Sequence, residues 1–270
     1  MTELRSSDHR FLSPPVFETA LAIQFDELDT FRAIHFGLFY ERVAERFPIV
    51  EDLPRTEPII ERFPLQFRQM KFGIKESKGP ERVFFRDKED GALLIQLQPD
   101  RFGLNWSRAS LNDPYPNFSQ NGPLFLAEFA KFAQFCQDQK LGALRPNLCE
   151  VVYVNHIFPK PDESVIECME NVLVNVQLTH CEDDLPSAEL ASFNRVYPIS
   201  DQKGRWYAEA GLGRHADHGE FVALKITARI LHKDGEDVAA NIQQAHDTVV
   251  NGFVAVTTKD ARMTRWGQNQ

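Results

Sequence analysis

The chain is poor in the features that announce a particular chemistry. Its four cysteines, Cys136, Cys149, Cys168 and Cys181, stand apart with no C-x-x-C pair. That excludes a zinc knuckle or a thioredoxin-like dithiol and leaves reduced, structural thiols as the reading. There are 14 glycines but no phosphate-cradling loop: Gly211-Leu212-Gly213-Arg214 lacks a third glycine and is followed by another strand, whereas anion sites of that type use a helix N-terminus. No G-x-S-x-G elbow or cysteine-protease signature is present. No run approaches the roughly 20 apolar residues of a membrane helix, and the first ten residues are polar, without a signal-peptide core. The expectation is a soluble cytoplasmic protein with no membrane association.

Positive charge is also scarce. Basic residues number 30 against 39 acidic ones, a formal charge of −9, which works against nonspecific attraction to nucleic acid. The local exception is Arg55 to Lys88, with nine basic and five acidic residues; a solvated face is the plainer reading of it. Within it, Arg62, Arg68, Lys71 and Arg82 are the weak candidates for nucleic-acid contact.

What the chain does have is phenylalanine, 22 residues against 5 Tyr and 3 Trp. Fully burying such a ring contributes roughly 1.5 to 3 kcal/mol, so an aromatic core is expected. The 270 residues, 43% apolar and 26% charged, have ordinary globular composition.

Periodicity places the elements. Positions 17, 19, 21, 23 and 25 alternate as a strand. Phe36, Phe39, Tyr40, Val43 and Phe47 form a helical stripe, with Asp29 or Thr30 as N-cap and Pro48 as stop. Pro48, Pro54, Pro58 and Pro64 predict a long extended loop. Strands follow at 65–74, 82–87, 92–98 and 101–108, then a helix with Pro123 in its first turn, ended by Gly142. A β-branched run at 148–157 precedes a connector at 158–164. Further strands are expected at 172–179, 192–199, 205–213 and 220–232, with turns at 201–204 and 216–219, and a last helix begins near Asp237. The two halves, 1–158 and 159–270, share an order of strand, helix or connection, meander and helix. The fold class expected is α+β, pseudo-duplicated, with helices on one face of antiparallel sheet and the halves joined in one continuous domain or lying separate.

The least generic stretch is Ile95 to Arg108 with Asp113-Pro114-Tyr115-Pro116. Arg101 offers a planar pair of donors, and Asn105, Trp106 and Tyr115 carry polar handles suited to a planar or anionic partner. The same letters serve structure: Asp100 and Asp113 cap turns, the prolines hold an extended loop and Trp106 fills the core. His156 at the end of a strand is the best isolated acid or base, with a buried, hydrogen-bonded histidine as the plainer reading. His215-x-Asp217-His218, completed by His232, His246 or Cys181, fits no defined zinc spacing, and a polar hairpin turn explains it. No catalytic residue, metal or cofactor is assigned. The binding candidates are Arg101, Asn105, Trp106, Asp113, Tyr115 and His156.

Phe47-Pro48, Pro58-x-x-Glu61-Arg62-Phe63, Gln96-x-Gln98-Pro99-Asp100-Arg101-Phe102-x-x-Asn105-Trp106, Asp113-Pro114-Tyr115-Pro116, Leu144-Arg145-Pro146-Asn147 to Glu150, Tyr153-Val154-Asn155-His156-Ile157 and Trp266-Gly267 occur in this order along nearly the whole chain. The pattern resembles a sporadically distributed family of uncharacterised bacterial and archaeal proteins. Asn117 departs from it, since members carry an aromatic or basic residue after the Asp-Pro-Tyr-Pro run. The resemblance transfers no catalytic residue; the patchy distribution of that family implies an association with mobile or defence genes, toxin and antitoxin pairs included.

Three functional expectations follow. The first is a noncatalytic binding or regulatory protein, an accessory or antitoxin-like component of a bacterial defence or stress module, holding a protein partner of basic character on a face near Arg101, Trp106 and Tyr115. The alternative is a small-ligand-binding protein or enzyme with Arg101, Asn105, Tyr115 and His156 converging in a pocket between curved sheet and helices. The third and weakest is nucleic-acid binding. Oligomeric state is left open.

Overall fold

Strand β1 (Val16–Phe25) is the axis of the molecule, because the alternation that predicts it gives it two partners, one on each side. In the computed structural model, which describes residues 11–65, 81–89, 91–110, 113–178 and 188–268, β1 is followed by α1 (Ala33–Val43), β2 (Ile49–Leu53), β3 (Arg82–Arg86), β4 (Leu93–Gln98), β5 (Arg101–Ser107) and α2 (Phe118–Asp138). The second series is β6 (Pro146–Ile157), α3 (Val165–Val172), β7 (Phe193–Ile199), β8 (Gly204–His215), β9 (Gly219–Leu231), α4 (Val238–Val256) and α5 (Lys259–Trp266).

The nine strands among the described residues join one antiparallel sheet in the order β2-β3-β4-β5-β1-β6-β9-β8-β7. Each series therefore supplies one half: a first strand at the centre, a helix, a meander that works back from the edge, and a closing helix. The first strands, β1 and β6, pair through the middle with Leu21 opposite Val151. By element order the second series begins at β6, and the sheet runs unbroken across that junction.

The helices cover one face. Helix α1 packs on β3 and α2, α2 on β5, and α4 on β6, β8 and β9, while α3 packs on β9 and α5. Their apolar stripes meet Leu21, Ile23, Ile95, Phe102, Val151 and Ile226 in a single core cluster. The phenylalanines concentrate there: fully buried Phe39 has ring centroids 5.4 Å from both Phe132 and Phe135 and 6.0 Å from Phe85, edge to face.

Several sequence expectations need correction. The N-cap of helix α1 is Arg32 rather than Asp29 or Thr30: the Arg32 amide donates to Nδ1 of His35 at 2.8 Å, while the Thr30 hydroxyl is spent on the Leu141 carbonyl at 3.0 Å. The proline-rich segment is not wholly irregular, because the five residues between Pro48 and Pro54 keep their amide donors and form the edge strand β2. Helix α2 begins a turn early, leaving Pro123 inside it, at the loss of one i→i−4 bond. The strand expected at 172–179 is absent among its described residues. Helix α3, capped at its start by Ser164 and Glu167 with the Glu167 amide donating to Ser164 Oγ at 3.2 Å, runs to Val172, and Asn175 sits at φ 58°, which breaks an extended run. The short α5, started by Thr258, was not foreseen. The strand expected at 65–74 lies, after Leu65, outside the described residues.

Candidate functional site

Because strand side chains alternate, β5 divides the sequence candidates between two faces. Phe102, Leu104 and Trp106 enter the core, and Trp106 is 3% exposed. Arg101, Gly103 and Asn105 face the other way, onto the side of the sheet that carries none of the described helices.

On that side the chain from Pro54 to Pro64 lies across the strands as a strap. Gln24, at the end of β1, holds it by an amide pair: its Nε2 donates to the Ile59 carbonyl at 3.0 Å and its Oε1 accepts from the Ile59 amide at 2.7 Å. Gln98 receives the Thr56 hydroxyl at 3.0 Å. Arg55 reaches buried Asp100 at 2.5 Å and both oxygens of Glu27 at 2.9 Å. Farther along, Glu61 accepts from Arg205 Nη1 at 2.6 Å, Tyr207 Oη at 2.6 Å and Arg229 Nη1 at 3.1 Å. Arg229 passes its Nε to Glu150 at 2.7 Å, and the other oxygen of Glu150 takes Arg101. Burial pushes both carboxyls up, but the hydrogen bonds of Tyr207, Arg205 and Arg229 on Glu61, and the charges of Arg101 and Arg229 on Glu150, hold each below the usual carboxylate range. Arg101 is thus committed inside an ion-pair chain. Asn105 lines a separate recess of about 180 Å³ on the same face.

Of the weak basic candidates, Arg62 is exposed on the strap, its carbonyl accepting from Arg205 at 2.6 Å. Arg82 sits on β3 with its guanidinium 5.2 Å from the Phe84 ring. Arg68 and Lys71 lie outside the described residues.

The other candidates gather at the helix side and at the adjoining end of the sheet. Asp113 accepts from the Ala109 and Ser110 amides at 3.0 and 2.7 Å, so it caps the turn after β5. That turn brings Tyr115 against Trp106, ring centroids 5.8 Å apart, and edge to face with Tyr153 at 6.3 Å. His156, at the end of β6, is sandwiched between Phe17 and Phe221, with centroids 3.9 and 4.0 Å away. Burial and then the nearby His215 push its pKa down to about 4. The His215 and His218 rings lie 4.7 Å apart, but His246 belongs elsewhere and Cys181 lies outside the described residues. Among the described residues no three His, Cys, Asp or Glu side chains are grouped to hold a metal.

A cavity of about 710 Å³ opens between the sheet, α2 and α4. Apolar side chains dominate its walls, among them Val249, Val250, Phe253 and Ile226. Tyr153, pointing up from β6, lies with its hydroxyl 3.1 Å from His246 Nδ1 on α4, and Tyr115 interacts with the Tyr153 side chain as well. Phe118, the first residue of α2, stacks on His246 at 3.9 Å with 4° between planes. Burial pushes His246 down to about 4, against the pull of Asp247, and Tyr115 up to about 12. Near neutral pH the wall therefore presents a neutral imidazole and two intact phenols, hydrogen-bonding groups without charge.

Tyr115 and His156 also line a second cavity, of about 590 Å³, next to the first. The four residues expected to converge are thus split: Tyr115 and His156 meet there, while Arg101 and Asn105 lie elsewhere, on the face away from the described helices. Tyr153 and His246 were not binding candidates. Tyr153 sits inside the Tyr-Val-Asn-His motif, and His246 interrupts the apolar stripe Ile242, Ala245, Val249, which is the signal that would have found it.

Among the described residues no helix is long and apolar enough to cross a membrane. The chain matches no family model, no curated protein and no solved structure, so its functional reading rests on this geometry.

Proposed function

We propose that the protein is a small-molecule binder whose site is the cavity between β6, α2 and α4. The observation that carries this reading is the combination of about 710 Å³ of space, apolar walls and the Tyr115, Tyr153 and His246 group set into them. Sites for small ligands have this form, a mostly apolar hollow of roughly 300 to 1,000 Å³ with a few placed polar groups. The ligand is largely apolar and meets those groups through one hydrogen-bonding end. No bond-making step is assigned to them.

The other expectation, an accessory or antitoxin-like protein gripping a partner through Arg101, Trp106 and Tyr115, needs these side chains on one surface. Arg101 and Trp106 leave β5 on opposite faces, and Trp106 is buried in the core. The cavity therefore supports the ligand reading better.

The test uses 1-decanol as an apolar probe carrying one hydroxyl. It is expected to raise the melting temperature of the protein, and Val250→Trp, at a half-buried position of the wall, is expected to remove the shift while leaving the protein folded. A wild-type melting temperature that does not move at saturating decanol overturns the proposal.

A further inference from the structure

Among the described residues, the wall of the cavity under α4 carries no Asp, Glu, Lys or Arg. Its titratable side chains are Tyr115, Tyr153 and His246, and burial keeps all three uncharged near neutral pH. An ion placed there leaves water without meeting an opposite charge, which costs far more than burying a neutral polar group. The polar end that suits this wall is therefore uncharged.

Which uncharged group it is follows from counting protons. Each phenol carries one O–H and a neutral imidazole one N–H, so the three groups hold three protons. Tyr153 is the middle member: its hydroxyl lies 3.1 Å from His246 Nδ1, and it shares a side-chain hydrogen bond with Tyr115. The two links use two protons, whichever way each of them points. One donor is left over. It is the Nε2–H of His246 when both links run towards the imidazole, the Tyr115 hydroxyl when both run away from it, and the Tyr153 hydroxyl when both converge on Tyr153. No other hydrogen bond ties the trio to the described residues. Tyr153 is 7% exposed and the Phe118 ring covers the imidazole, so the spare donor sits where an acceptor other than the ligand is scarce, and an unmet donor there is costly. The other polar groups of the wall make no such demand: Asn117, Ser119 and Gln243 are exposed to water, and Asn155 donates Nδ2 to the Leu224 carbonyl at 2.9 Å.

We propose that the ligand carries an uncharged hydrogen-bond acceptor at its polar end, typified by a ketone carbonyl, and that Tyr115, Tyr153 and His246 select it by donating the hydrogen bond that their own links leave over. This rests on the reading of the cavity as the binding site and supplies the chemical class of the polar end. A site that must place a donor rejects an analogue lacking the acceptor, because its own buried group is then left unpaired.

The test uses three probes of the same chain length, 2-octanone, octanoate and octylammonium, titrated calorimetrically into the whole protein at neutral pH. 2-Octanone is expected to bind about tenfold more tightly than either ion, equivalent to about 1.4 kcal/mol. The carbonyl infrared band of the bound ketone is expected below its position in hexane, because a hydrogen bond to the oxygen weakens the C=O bond. Replacing the trio together, Tyr115→Phe, Tyr153→Phe and His246→Phe, is expected to return the band to the hexane position while the ketone still binds. An ion that binds as tightly as the ketone overturns the uncharged end, and a wild-type band at the hexane position overturns the acceptor contact. A band that stays lowered in the triple variant overturns the part given to the trio. Each of these outcomes leaves the apolar site standing, whereas binding of none of the probes overturns both proposals.

Discussion

Glu61 offers the sharpest test of how the strap is held. Its side chain is 3% exposed and that of its partner Arg205 is 4% exposed, so neither charge has water to fall back on. Glu61→Gln preserves shape but removes the negative charge and turns an amide N–H2 towards groups that are themselves donors: Arg205, Tyr207 and Arg229. Arg229 retains Glu150 at 2.7 Å. Among the described residues Arg205 retains only uncharged company, the Arg62 carbonyl at 2.6 Å and the Phe63 ring 3.8 Å away. Breaking one side of a buried ion pair costs about 3 to 5 kcal/mol, and the contacts left to Arg205 place this case near the lower end. The expected result in urea is a lower midpoint with an unchanged slope, corresponding to about 3 kcal/mol. The pH dependence follows from the depressed pKa of Glu61. Its contribution is complete above the unfolded value of about 4.3 and is lost as the pH falls through the lower folded value. The gap between wild type and Glu61→Gln should therefore close as acid is added below about pH 4. Adding Arg205→Met to Glu61→Gln should recover stability, since no charge is then stranded. A loss under about 1 kcal/mol, or a gap that persists unchanged in acid, would refute the reasoning.

The other expectations concern the cavity and the core. His246, pushed down to about 4 by burial, is neutral in the folded protein while the unfolded chain takes up its proton near pH 6.5. Its contribution is thus full above pH 6.5 and is lost towards pH 4, by about 3 kcal/mol. Unfolding followed from pH 7 to 4.5 should show a shallower pH slope in His246→Gln, and identical slopes would sink the buried neutral imidazole. Phe132, with ring centroids 5.4 Å from both Phe39 and Phe102 and no exposure, should cost about 3 to 5 kcal/mol when truncated to alanine. A denaturant midpoint that barely moves would mean that the aromatic cluster closes over the gap.

The amino-acid sequence by itself determined the elements and which way most of their side chains face. Alternation in β1, β4 and β5 and the stripes of α1 and α4 are local patterns, set by a backbone period of two or of 3.6 residues, and they place Trp106 inside and Asp113 on a turn without any partner being known. The exceptions are local rules in competition. Five proline-free residues sufficed for β2, a left-handed Asn175 interrupted the strand expected after α3, and the His35 ring displaced the expected cap of α1. What only the tertiary structure decided depends on residues far apart in the chain. Glu61 meets Arg205 across 144 positions, and Tyr153 meets His246 across 93. The pairing of β1 with β6, which makes one sheet of two halves, is equally nonlocal. No local pattern encodes such meetings, because a side chain's partners across a sheet are fixed by register and by which helix lies above it. A cavity, being the space that packing leaves unfilled, has no sequence of its own. Tyr115, on a proline-held loop, and His156, at the end of a strand, could be named in advance as candidate polar groups; that Arg101 is spent on Glu150, and that Tyr115 stands beside Tyr153 and His246, followed only once the strands had closed into one sheet.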